Sequence, residues 1–291
     1  MLRQSHPVFM KKYKAKEAPF KIVSSQAVCK NVYPYVRHND GDKTIFCVSP
    51  IHGRSFVIGP KENGRWIVTK GNGLSYTTQS FIDVSENDYY IWGALSKECA
   101  LRDYNIGIEV NALGIKTNIM EAVVELNILL KDKNSYIKPH LLQYEVECPY
   151  RLSDFPFMPS KELKNIVASW FNMGSSYSEP YLIAADILIR NLQILHKNKI
   201  MHNAIHIQNY TWALELLDFE SSRTENHPYT NTDYENNVLL LMNGEIMKTY
   251  EIINYIGWCI GEKVEYNKID MIFNHYGFNL EQYKLTNDMK V

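Results

Sequence analysis

Apolar and polar positions change rhythm twice along the chain. Up to about residue 43 no period is sustained: charges are mixed, and Pro7, Pro19 and Pro34 interrupt the run. From Lys43 come short β-branched and aromatic runs, KTIFCVSP, RSFVIGP and RWIVTKG, separated by His52-Gly53 and by Lys61-Glu62-Asn63-Gly64. Turn-prone residues between extended runs predict a meander of antiparallel strands. From about Ser96, Ala100, Leu101, Tyr104, Ile108, Ala112 and Leu113 recur at three- and four-residue steps, which predicts a helix stopping near Gly114. EAVVELNILL and LLQYEV read as two further strands either side of a polar, Pro-containing turn.

The second change comes at Cys148-Pro149-Tyr150-Arg151 and Asp154-Phe155-Pro156, a rigid, turn-rich crossover. Beyond it KELKNIVASWFNM and EPYLIAADILIRNLQILHKN read as helices, the second entered through Glu179 and Pro180. Strand-like pieces around polar residues follow in KIMHNAIHIQNYTWALELLDFE, and helix returns from about Tyr234. A mostly β part followed by a mostly α part predicts an α+β, two-lobed protein with a ligand cleft between the lobes. The expected divisions are an N-terminal extension over 1–43, a β-rich N-lobe over 44–148 and an α-helical C-lobe over 149–291.

Composition narrows the function classes. In 291 residues, 45% hydrophobic and 22% charged, there is ample material for a core, and 31 basic against 32 acidic side chains give a net charge of -1. Such balance offers no support for a nucleic-acid or polybasic membrane binder. No run approaches the ~18 apolar residues of a membrane-spanning helix, and the first twenty residues lack the apolar stretch of a secretory leader. Five widely spaced cysteines form neither a metal pair nor a disulfide framework, which points to a reduced, cytoplasmic setting. Zinc is equally unsupported, since His196, His202 and His206 have no Cys or carboxylate at ligand spacing.

Candidate chemistry begins at Lys70. It ends the apolar strand Trp66-Ile67-Val68-Thr69 and precedes Gly71-Asn72-Gly73. A lysine fixed there either holds a phosphate, with small residues letting backbone N–H groups near the anion, or is a solvated hairpin residue. His52-Gly53-Arg54 is a weaker candidate loop over phosphates. Further on, a polar loop from His202 to Asn209 leads through a short hairpin to Asp218, bringing an amide oxygen and a carboxylate together. Both are hard ligands suited to Mg²⁺ on a polyphosphate. Tyr89-Tyr90-Ile91-Trp92 is an aromatic cluster that reads as core cover or as a partner surface.

In order along the chain, these segments resemble the protein-kinase-like fold, and within it the selenoprotein O family of kinase-like adenylyltransferases. Gly53-Arg54 before Phe56-Val57-Ile58-Gly59 is similar to that family's first hairpin. Trp66 to Gly73 resembles its strand ending LKGAG. Leu101-Arg102-Asp103-Tyr104 with Leu113-Gly114-Ile115-Lys116-Thr117 resembles its IREF…LGIPT helix and exit. Cys148 to Phe155 resembles its APSxxRFGxFE crossover, and His202 to Asp218 its HGVMNTDN…DYG segment. The similarity runs from about residue 53 to 220.

The resemblance implies an ATP-dependent transferase that moves AMP, or phosphate, from Mg-ATP to a hydroxyl on a protein or small molecule. It implies that Lys70 contacts phosphates and is oriented by Asp103, with Glu109 as a substitute partner because Asp is one methylene shorter than the family's Glu. It implies Asn209 and Asp218 as Mg²⁺ ligands, and a nucleotide cradle from Gly53, Arg54, Lys70, Gly71, Gly73 and Arg151. Arg151 reads equally as a structural partner of Asp154. The departures are in the loop: Gln208 stands where the family has Asp, and Ala204 where kinases have their base. His206, His202 and Glu220 remain as proton acceptors, His206 best placed among them though also readable as a structural histidine. Glu220 reads as a second metal ligand or as a solvated turn residue. The alternative function is an ATP-binding pseudokinase, or partner-binding scaffold, without turnover.

Overall fold

The structure, a computed structural model, describes residues 11–27, 29–48, 53–74, 93–132 and 135–280. The described chain is α+β. Its strands are β1 Lys11–Glu17, β2 Phe20–Ser25, β3 Tyr35–Arg37, β4 Lys43–Cys47, β5 Ser55–Pro60 and β6 Trp66–Lys70. Helix α1, Lys97–Ala112, is followed by β7 Ile119–Leu126, β8 Leu130–Asp132, β9 Ser135–Ile137 and β10 His140–Val146. The remaining helices are α2 Ser160–Trp170, α3 Pro180–Lys197, α4 Thr232–Asn236, α5 Val238–Ile260 and α6 Tyr266–His275.

Eight strands form one antiparallel sheet in the order β2-β7-β10-β6-β5-β4-β1-β3, and β8 pairs with β9 as a separate hairpin. The meander expected from residue 43 is therefore present as β4-β5-β6. The lead-in expected over 1–43 is corrected for its described part, which supplies β1, β2 and β3. Those strands escaped notice because β1 is lysine-rich and β2 lies exposed at the sheet edge, where charge replaces the apolar alternation. On one face of the sheet Ala18, Val36, Val124, Leu126, Leu130 and Leu141 are buried in a small second core, with Val32 and Ala94 packed against it.

Helix α1 lies on the other face. Ser96 caps it by accepting Cys99 N–H at 3.1 Å, and Gly114 leaves it with φ +80°. Helix α3 is apolar nearly all round, as a helix must be when α2, α5 and α6 pack against it. The crossover at 150–152 and the hairpin at 209–217 knit the helical part to the sheet. Trp212 N–H bonds Tyr150 O at 3.0 Å, Leu152 N–H bonds Tyr210 O at 2.8 Å, and Leu216 N–H bonds Lys116 O at 2.9 Å. Trp212 also stacks on Trp170 of α2, whose indole N–H donates to the Trp212 carbonyl at 3.0 Å. No helix among the described residues is long and apolar enough to cross a membrane. The aromatic cluster 89–92 and His52 lie outside the described residues.

Candidate functional site

Strand alternation decides where Lys70 points. Val68 and Lys70 share the face that packs against α1, while Ile67 and Thr69 face the other way. Lys70 is wholly buried, which excludes the solvated-hairpin reading. Its Nζ donates to Asp103 Oδ2 of α1 and to Asp218 Oδ1, both at 2.7 Å, and lies 3.3 Å from Glu220 Oε2. Lys70, from the sheet, and Asp218, from the turn after the 209–217 hairpin, thus meet in one place although 148 positions separate them.

Asp103 reaches Lys70 directly, and Glu109 instead accepts a hydrogen bond from Thr224 at 3.0 Å. Gly107, four residues on and on the same helix face, explains how the shorter side chain suffices. A Cβ there would lie 2.2 Å from Met120 Cε and 3.3 Å from the Phe219 ring, so α1 settles this close with Met120 where it stands only because the residue is small. Asp103 Oδ1 then accepts Phe219 N–H at 2.9 Å, fixing the residue that follows Asp218. Arg102, next to it on α1, holds the succeeding chain by donating to the carbonyls of Ser222 and His227, each at 2.7 Å.

Asp218 is one of four non-glycine residues with positive φ among the described residues (+69°); Asn203 and Leu214 of the same loop and hairpin are two others. Left-handed backbone in a non-glycine residue costs energy and persists only where neighbours over-determine it. Here Leu217 N–H bonds Asn209 O at 2.8 Å, and the buried His202 Nε2 bonds Leu217 O at 2.9 Å. The first of these pairs the backbone of Asn209 with that of Leu217, next to Asp218. Asn209 Nδ2 donates to Ala204 O at 2.9 Å. His202, edge-on to Phe219, is architectural, and burial pushes its imidazole down so that it stays neutral.

The charges are matched closely. Burial alone would lower the Lys70 ammonium, but Asp103, Asp218 and Glu220 outweigh it and raise it. Burial would likewise raise Asp218, but Lys70, Arg54 and Arg151 hold it well below the usual carboxylate range. Arg54 pairs with Glu220 and lies 3.7 Å from Asp218 Oδ2. Glu220 is therefore part of the cluster and not a solvated turn residue. One oxygen each from Asp103, Asp218 and Glu220 lie within 4.8 Å of one another, a set of hard oxygen donors whose common cation here is the Lys70 ammonium.

Other expected residues stand apart. Gly71, at φ +105°, gives its N–H to Arg54 O at 2.8 Å, and a Cβ on it would lie 2.5 Å from His140 O. Its smallness serves strand packing, which corrects the expectation that its N–H approaches an anion. Gly73, buried at φ +98°, belongs to the same inward turn, and Gly53 is a buried turn residue before β5. His206 is exposed, and its Nδ1 accepts Gln208 N–H at 3.4 Å, capping the turn at 207–209 without a bond to the cluster. Arg151 bridges the two parts, donating to Gln208 O at 2.8 Å and to Ser55 Oγ at 3.3 Å, while its backbone N–H bonds the Asp154 carboxylate.

Beside Arg151 and Leu217 is a cavity of about 40 Å³, lined also by Val57, Val68, Tyr144 and Val146. Reading the sequence missed Glu215, a fully buried carboxylate that takes Arg65 at 2.8 Å, Glu147 N–H at 2.9 Å and Thr211 Oγ1 at 2.9 Å. A single acid inside the apolar run Trp212–Leu217 was its signal, because such a group must find partners. No protein-family model matches this chain and no curated protein matches it, so the site is described on its own geometry.

Proposed function

We propose that this protein has a kinase-like arrangement, related to the selenoprotein O family, and binds Mg-ATP between its sheet and its helices. It transfers AMP, or phosphate, to a hydroxyl on a protein or small molecule. The observation that carries this reading is the meeting of Lys70 with Asp103 and Asp218 at 2.7 Å each. In this reading Lys70 is a point charge for phosphate oxygens and Asp103 keeps it in position. Asp218, Glu220 and Asn209 would hold Mg²⁺, which neutralises polyphosphate charge when bound. Arg54 and Arg151 bring two guanidiniums to the same cleft, and Val57, Val68 and Leu217 supply apolar surface for a base.

The loop 202–209 holds no carboxylate, so catalysis here relies on positioning and charge; an absent general base forfeits only ~10²–10⁴-fold. ATP labelled separately at the α and γ positions tests the proposal. Retained α label means adenylyl transfer and retained γ label means phosphoryl transfer. Absence of label from every acceptor, with ATP bound, overturns the enzyme.

A second reading, a nucleotide-binding scaffold without turnover, is favoured by Ala204 and Gln208, which leave the loop without a base. Ligand pockets usually measure ~300–1,000 Å³, so under either reading the cavity of about 40 Å³ must widen before a purine enters. Mg²⁺-dependent thermal stabilisation by ATP without label transfer selects this reading. Asp218→Asn, which tolerates the left-handed backbone while removing the charge, abolishes that stabilisation under either. A wild-type protein unaffected by Mg-ATP overturns both.

A further inference from the structure

The sheet has a second face, and there β10 turns Gln143 and Glu145 away from the Lys70 cleft, as β6 turns Ile67 and β7 turns Glu121. Over these side chains, between the segment 30–33 and the turn 60–63, lies a cavity of about 640 Å³, some sixteen times the volume of the one beside Arg151. It is within the size range of small-ligand sites, ~300–1,000 Å³.

Its floor is a built polar device. Lys61 Nζ donates to Glu121 Oε1 at 2.5 Å and to a Glu145 oxygen. Glu121 Oε2 accepts Gln143 Nε2 at 2.8 Å, and Glu145 Oε2 accepts Asn63 Nδ2 at 3.4 Å with Arg65 Nε at 3.5 Å. Both carboxylates are nearly inaccessible, whereas the Lys61 side chain keeps 27% of its surface. An ammonium has three N–H groups; two are used here among the described residues, which leaves one beside the carboxylates' remaining lone pairs.

Charge narrows the ligand class. Glu121 and Glu145 share Lys61, Arg65 is divided among Glu145, Glu147 and the buried Glu215, and Lys30 and Glu62 stand at the rim. An anion would meet an ammonium already flanked by two carboxylates, and a cation would have to displace Lys61. A neutral hydroxyl both donates and accepts, which matches an N–H next to free lone pairs. Tyr33, Pro60, Ile67 and Ile119 offer apolar wall for the C–H faces of a ring. We infer that this face binds an uncharged, hydroxyl-rich small molecule of mono- to disaccharide size, chiefly through Lys61, which the two carboxylates hold in place.

The site stands across the sheet from Lys70, so it is tested without nucleotide. Saturation-transfer NMR on the full chain uses glucose and maltose as probes, with glucose 6-phosphate and glucosamine as charged controls. The expected result is transfer from a neutral probe, weakened about tenfold or more by Lys61→Met, the effect of losing a charged hydrogen-bond donor. Asn31→Trp, at the exposed rim, blocks the mouth without touching the floor; it weakens binding equally at unchanged melting temperature and keeps the test decisive if Lys61→Met is unstable. No transfer from either neutral probe at millimolar concentration overturns the inference. Transfer from the charged probes alone, or neutral binding indifferent to Asn31→Trp, overturns it as well.

Discussion

Lys70 shows how a single side chain is committed by its surroundings. It has given up water entirely and faces three carboxylates, so the residues that neutralise it are as dependent on it as it is on them. Lys70→Met is expected to cost about 3–5 kcal/mol, the penalty for leaving buried charge unpaired, and urea denaturation measures it. His202 makes a different prediction. Its folded imidazole resists protonation because it is buried, while the unfolded chain accepts a proton near pH 6.5. The stability it contributes is therefore full above about pH 6.5 and declines as pH falls below it, by up to ~1.4 kcal/mol per pH unit. His202→Gln should flatten that decline relative to the wild type in denaturation series at pH 5 to 7. Lys70 and Asp218 could be picked out from sequence because each ends an apolar run. Arg54 and Glu220 could each be singled out too, but not their pairing, since nothing local announces a partner 166 residues away.

At the scale of elements, two helical glycines make a controlled pair. Gly244 in α5 has open space where a Cβ would stand, and Gly107 in α1 has Met120 and Phe219. Gly244→Ala is expected to stabilise by about 0.5–1 kcal/mol through helix propensity. Gly107→Leu should destabilise by about 1–3 kcal/mol through overpacking; thermal melts distinguish the signs. The same variant should weaken Mg-ATP binding if α1 must sit close for Asp103 to reach Lys70. Helices α1, α2 and α3 and the strands β4 to β6 and β10 were legible because their apolar periods are strong and their stops are Gly, Pro or Asn. The strands β1 to β3 were not. They are short or lysine-rich, and their order depends on pairing with strands far along the chain.

For the molecule as a whole, Glu215 is the staple. It binds the turn before β6, the crossover and its own hairpin at once, with no exposure to water. Glu215→Ala is expected to lower stability by about 3–5 kcal/mol, whereas Lys248→Ala, which breaks an exposed pair with Glu251, should cost no more than ~0.5 kcal/mol. Chemical denaturation of the two variants side by side checks the contrast. One further feature joins both faces: every residue of β10 is buried, and its side chains alternate between the two faces, while the partner strand β7 carries Glu121 as an extra residue opposite Gln143 and Tyr144. That strand is a party wall, with rooms on either side furnished by alternate side chains. Deleting Gln143 would send Glu145 into the greasy room and Tyr144 into the polar one, so a deletion there is expected to be far more damaging than any single replacement.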